Sequence, residues 1–200
     1  MLLELAIAMD STRQDLRITT IVVAATFVIV FLVVRAVEHN SVILNGYSAV
    51  LYCAVISIGL QWLGWIPASI GKTERFYDLT GGLTYLIVVG FSLWAGSQSE
   101  PPSLREVLVS VLTVIWSLRL SSFLYRRIHR TGKDGRFDEL KTSPIRFLVP
   151  WTLQGLWIFL TMIAVIVINS QAGSAVAFGI WDGIGLSVWI LGFGIETVAD

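Results

Sequence analysis

Glu196 and Asp200 stand four residues apart at the end of the 200-residue sequence. On a helix this spacing puts both carboxylates on one face, where they repel by about a few tenths of a kcal/mol. Near a C-terminal helix end they also oppose the macrodipole. Carboxylates placed this way are expected to accept hydrogen bonds from hydroxyls or amides of a ligand. A second chemical group is Arg119. Trp116, Arg119, Ser122, Arg126 and Arg130 follow i, i+3, i+4 spacing and form one polar stripe. Such a stripe suits a phosphate or an anionic headgroup at a membrane interface. It runs into the loop from Arg126 to Phe137, where Gly132 and Gly135 allow a tight turn with backbone amides that can approach a phosphate. The loop has no G-x-x-x-x-G-K-[ST] pattern, so it is not a P-loop. Asp78 follows Arg75-Phe76-Tyr77. It is expected either to cap a helix or to act as an acid facing a lipid-derived substrate.

Each of these features also has a plain structural reading. Arg119 can snorkel toward the interface. The loop cations can serve orientation and contact with anionic lipid, and the two carboxylates can be a solvated helix end. Gly192-Phe193-Gly194 lies in an apolar stretch with no strand before it, which excludes a dinucleotide-binding loop. These glycines, with Gly179 and Gly183, are expected to permit close helix packing. Gln154, Trp157 and Thr161 share one helical face and suit packing or an inter-helix hydrogen bond. Cys53 and Met162 read as plain core residues.

The elements that must position these groups are set by composition. Hydrophobic residues make up 55% and charged residues 14%, against about 25% charged in ordinary globular chains. Mean hydropathy is +0.76. A net charge of zero excludes a basic nucleic-acid binder, and one cysteine excludes an internal disulfide framework. Two histidines without H-x-x-x-H spacing argue against a metal hydrolase. A helix crosses the hydrocarbon core with about 20 apolar residues. Six stretches qualify: residues 18–37, 48–69, 79–97, 104–125, 145–169 and 175–198. The expected fold class is therefore all-α, a polytopic bundle of six transmembrane helices. Asn45-Gly46 precedes span 2, Pro67 is expected to close it, and Pro101-Pro102 opens span 4. Residues 1–17 read as a cytoplasmic segment, and residues 18–200 as a single membrane domain with a basic loop at 126–146. Eleven Lys and Arg residues fall on one side of the spans and two, Arg35 and Arg105, on the other. This asymmetry places both termini in the cytoplasm. The absence of an organelle-targeting segment points to a bacterial inner membrane.

Four pieces carry a resemblance. They are Asp78-Leu79-Thr80-Gly81-Gly82-Leu83-Thr84-Tyr85; Trp116-Ser117-Leu118-Arg119-Leu120 with Arg127, Gly132-Lys133-Asp134 and Arg136-Phe137; Trp151-Thr152-Leu153-Gln154-Gly155-Leu156-Trp157; and Gly192-Phe193-Gly194-Ile195-Glu196 with Ala199-Asp200. Together, over about Lys72 to Asp200, they resemble an uncharacterised membrane family, a domain of unknown function, related to steroid 5-alpha-reductases. The resemblance implies a membrane oxidoreductase acting on CH–CH groups. It would take NADPH from the cytoplasmic side and reduce a C=C bond of a steroid or other lipid-like enone. It also implies that Arg119, Arg127, Arg136, Glu196 and Asp200 serve the cofactor, and that Asp78 is a substrate-side acid. Trp116 stands where related reductases carry a tyrosine that polarises the substrate carbonyl. An R-H-P-N-Y-F-G-E-like motif follows the last piece in relatives. It does not occur in these 200 residues, so the expectation is either that the sequence is a fragment or that the protein has lost part of its cofactor site. Two other functions fit: an isoprenylcysteine-type methyltransferase using S-adenosylmethionine, and a non-catalytic membrane or lipid-binding protein. A transporter fits poorly, because the spans show no repeat and no midplane charge.

Overall fold

In the computed structural model the described residues are 2–172 and 178–199, with side chains described at Met9 and from Thr12 onward. Six apolar helices are long enough to cross a membrane. They are α1 (Leu2–Val37), α2 (Ala49–Gly71), α3 (Tyr77–Gly96), α4 (Leu104–Thr131), α5 (Pro144–Asn169) and α6 (Ile180–Ala199). The protein is a multi-pass membrane helix bundle. A hairpin of β1 (Ile43–Leu44) and β2 (Tyr47–Ser48) joins α1 to α2. Asn45 and Gly46 turn it with φ of 48° and 87°, the positive values that this tight turn needs. The end of the bundle bearing this hairpin is called the hairpin face, and the opposite end the basic face.

Local chemistry sets the helix ends. Ser48 accepts from the Leu51 amide at 3.2 Å and starts α2. Ser103 and Glu106 form a reciprocal capping box on α4. Ser143 caps α5, whose first residue is Pro144. Gly132, at φ 76°, ends α4. Pro67 does not close its span as expected. It lies inside α2, which continues to Gly71. The ring removes one hydrogen bond to the preceding turn but does not stop the backbone beyond it. The first helix, α1, runs without interruption from Leu2 to Val37.

α5 is the hub and packs against α1, α2, α3 and α4. Its Ile158, Phe159, Met162 and Ile166 are buried against Val50, Cys53 and Ile58 of α2 and Val88 and Val89 of α3. Cys53 and Met162 are core residues, as read. A second cluster of Ala68, Phe137, Phe147 and Trp151 seals the basic face. Polar bonds tie the helices together inside this apolar mass. Gln61 donates to Thr84 at 2.8 Å, and Asn169 donates to Ser92 and Ser110 at 3.0 and 2.9 Å. Such bonds contribute roughly 0.6–2 kcal/mol each within a bilayer.

The glycines that bring helices together are not the expected ones. A Cβ at Gly155 would lie 2.9 Å from the Ile58 backbone, and one at Gly82 would strike the Ser121 side chain. At Gly179, Gly183, Gly192 and Gly194 an added Cβ meets nothing within 4 Å. The reason is that α6 stands off the bundle, with no residue buried.

If both ends of the bundle are oriented as charge asymmetry requires, a cysteine placed at Lys133 is labelled only from the cytoplasmic side. Cys53 is fully buried and gives little background. Labelling from the opposite side would invert the topology.

Candidate functional site: a cavity under the sixth helix

Two polar clamps fasten α6 to α4. Toward the hairpin face, Arg105 Nε and Nη2 donate to the two oxygens of Asp182 at 2.6 and 2.8 Å. The Gly179 amide donates to the same carboxylate at 2.7 Å. Toward the basic face, Trp116 Nε1 donates to Glu196 Oε2 at 2.9 Å, and Arg119 Nη1 to Glu196 Oε1 at 3.3 Å. The Arg119 guanidinium also lies 5.5 Å from the Phe193 ring centroid, within cation–π range. Arg105 and Arg119 are fourteen residues apart, as are Asp182 and Glu196. The clamps are therefore about 21 Å apart along each axis, and the helices run parallel in register.

Between the clamps lies a cavity of about 650 Å³ lined by α4, α5 and α6, with Tyr85 reaching in from α3. Apolar side chains dominate it. On the α6 wall, Gly185 and Gly192 face open space. Polar groups stand at both ends, Arg105 and Asp182 toward the hairpin face and Tyr85, Trp116, Thr161 and Glu196 toward the basic face. Tyr85 and Thr161 share a hydrogen bond of 2.8 Å, and Thr161 also bonds to backbone carbonyls of its own helix. The Tyr85 ring meets Trp116 edge-on at 5.0 Å. A volume of this size with a few convergent polar groups is the usual form of a small-molecule site.

Beyond the basic-face end, Phe123, Arg126, Arg127, Arg130 and Thr131 line a recess of about 420 Å³. Arg127 reaches Asp78 at 3.8 Å. Among the described residues no ion pair engages Arg126 or Arg130. The step from Arg119 to Arg126 is about 10 Å along α4, so recess and cavity are neighbours on one helix.

The structure brings Trp116, Arg119 and Glu196 to one point. Asp78 sits with Arg127 at the basic face, in the first turn of α3. It is not the cap of that helix: Phe76 holds the N-cap position, without a side-chain bond. Arg136 lies in the loop and forks onto Asp134. Asp200 is outside the described residues. Trp157 and Thr161 line the cavity, whereas Gln154 lies against Gly81.

The α4–α5 loop is a folded cap rather than an open cradle of amides. The Asp134 amide donates to Glu74 at 3.0 Å, the Arg136 amide to Asp134, and the Phe137 amide to the Asp134 carbonyl. These three amides, and that of Gly132 on the Ile128 carbonyl, are thus already engaged. Glu74 is the pin that sequence reading missed. It is buried and also accepts from Lys141 Nζ at 2.9 Å. Burial by itself would raise the Glu74 pKa, but the Asp134 amide and the Lys141 ammonium together hold it below its ordinary value. A lowered folded-state pKa contributes stability above the unfolded value, near pH 4.3, that is lost as pH falls through the folded one. Glu74→Gln should therefore cost about 2 kcal/mol at neutral pH, a lost charged hydrogen bond. It should also remove part of the acid limb of the stability profile. Urea titrations from pH 3 to 7 check this, and an unchanged acid limb would contradict it.

A family model matches residues 64–200, more than half of the sequence. The chain belongs to DUF1295, a family of proteins of unknown function. Comparison with curated proteins and with solved structures returned no match. The DUF1295 match starts inside α2 and takes in α3 to α6. Both clamps, the cavity and the arginine recess therefore lie within it.

Proposed function

We propose that this DUF1295 protein is a membrane reductase, with both termini on the cytoplasmic side of a bacterial inner membrane. It reduces the activated C=C bond of a steroid or other lipid-like enone with NADPH. The observation that carries the reading is an apolar cavity inside the membrane. It ends in the Trp116–Arg119–Glu196–Tyr85 cluster, and a separate arginine recess lies further along α4.

The residues fit the cofactor by the chemistry of their groups. Arg126, Arg127 and Arg130 suit phosphates, and Asp78 keeps Arg127 in place. The Glu196 carboxylate suits hydroxyl or amide donors, and Arg119 suits an acceptor. NADPH, when bound, supplies a hydride to the β-carbon of the enone. The apolar wall orients the lipid-like body and excludes water. The Tyr85 hydroxyl, on leaving its hydrogen bond to Thr161, would donate to the carbonyl oxygen as negative charge develops there, the role that the resemblance gives to the tyrosine that related reductases carry where this chain has Trp116. A solvent proton then completes the reduced C–C bond at the α-carbon.

One feature favours a second reading. The Arg119–Glu196 pair also complements the zwitterionic amino-acid end of S-adenosylmethionine, as an isoprenylcysteine-type methyltransferase would require. Titrating the protein in nanodiscs with each cofactor separates the two. The reductase reading expects saturable NADPH binding in a form extended through the motif that follows in relatives, weakened about tenfold there by Arg119→Lys, because lysine loses the planar fork. Binding of S-adenosylmethionine alone would favour the second reading. Binding of neither would favour a non-catalytic lipid-binding protein.

A further inference from the structure

A groove of about 910 Å³ runs between α1 and α2 in the half of the bundle nearest the hairpin face. It exists because α1 packs chiefly on α5 rather than on α2. Phe27 and Trp62 meet edge-on, ring centroids 6.0 Å apart, and close it toward the middle of the membrane. The hairpin closes the other end at Tyr47. All of its lining residues precede residue 64, so it lies outside the matched family region and apart from the cavity under α6.

Two observations bear on what fills it. Gly59 lines the groove from inside α2, and an added Cβ there meets nothing within 4 Å. A mid-helix glycine destabilises relative to alanine, and here no neighbouring helix needs the space. The chain leaves room for something that it does not itself supply. At the mouth stands Arg35, one of only two cations on this side of the spans. The other, Arg105, is taken up by the Asp182 clamp. Arg35 donates to Glu38 at 2.5 Å, yet its side chain stays 67% exposed. Glu38 is steadied by Ser48 at 3.0 Å. An apolar slot lying in the bilayer, with Arg35 and Glu38 paired at its interfacial mouth, complements an acyl chain whose headgroup carries both a phosphate and an ammonium.

We propose that this groove is a specific site for one glycerophospholipid of the hairpin-side leaflet, with an acyl chain over Gly59 and its phosphate on Arg35. The inference stands apart from the reductase reading, since no cofactor enters its test. The purified chain is examined by native mass spectrometry after extraction from membranes. One retained phospholipid per chain is expected. Gly59→Phe fills the slot and should lower retention at least about tenfold, and Arg35→Gln about threefold to tenfold. Gly90→Phe is the control, because Gly90 also faces open space on α3 but lies outside the groove. It should retain lipid like the parent. In the unaltered protein, a phospholipid with a photoreactive acyl chain should crosslink mainly to residues 27–34 and 51–62. The proposal is overturned if folded Gly59→Phe keeps its lipid, or if crosslinks spread evenly over the exterior. It is also overturned if the groove is covered in a dimer that Gly59→Phe dissociates.

Discussion

Gly155→Leu is expected to leave little folded protein, and Gly155→Ala to cost about 2 kcal/mol. Helices α2 and α5 approach closely at Gly155. A Cβ at Gly155 would sit 2.9 Å from Ile58 Cα and 3.0 Å from the Ser57 carbonyl oxygen. Both are backbone atoms, so relief requires moving a whole helix rather than turning a side chain. Ser57 is itself fixed by a 2.8 Å bond to the Cys53 carbonyl. Gly59→Ala on the same helix gives the contrast. It meets no atom within 4 Å and should be neutral or stabilise by about 0.5–1 kcal/mol. Thermal unfolding in detergent compares the two. Equal stability of Gly155→Ala and the parent would mean that α2 and α5 are not in this contact.

Glu196→Ala is expected to release the basic-face end of α6 and to cost about 2 kcal/mol, and on the proposed reductase reading to weaken NADPH binding. Its carboxylate is the shared acceptor of Trp116 and Arg119. Without it, two donors lose their partner in a low-dielectric setting. No residue of α6 is buried, so the two clamps carry an unusual share of its attachment. A double-mutant cycle with Arg119→Ala should show a coupling energy of about 1 kcal/mol or more. Strictly additive effects would mean that the pair does not act as one unit.

The six spans could be read from hydropathy and length, because crossing a bilayer imposes both. The stripe of Trp116 and Arg119 and the acid at Glu196 could also be singled out, as polar groups at regular spacing in apolar helices. What periodicity could not say is which face meets which. Nothing local links Arg105 to Asp182, 77 residues further on, and their union depends on two helices running parallel and in register. Tyr85 was read only as part of a resembling segment, since nothing local marks that its hydroxyl turns toward α5. Glu74 stood among the cations of the basic face like any counter-ion. Its burial follows from the α4–α5 loop folding back over it. The glycines misled for the same reason. Gly192 and Gly194 have the spacing of a packing motif, but they lie on a helix held away from the bundle, while Gly155 carries the contact.

The account rests on substrate binding in the cavity between α4, α5 and α6. Gly185 tests this directly, because it lines that cavity and an added side chain there meets no atom of the protein within 4 Å. NADPH oxidation in nanodiscs, with and without a steroid enone, is measured for the parent and for Gly185→Leu, both in a form extended through the R-H-P-N-Y-F-G-E-like motif of relatives. The parent should oxidise NADPH only when the enone is present. Gly185→Leu should keep its thermal stability but lose enone-dependent turnover at least about tenfold, some 1.4 kcal/mol of transition-state stabilisation. Undiminished turnover in stably folded Gly185→Leu, or none in the parent, would contradict the account.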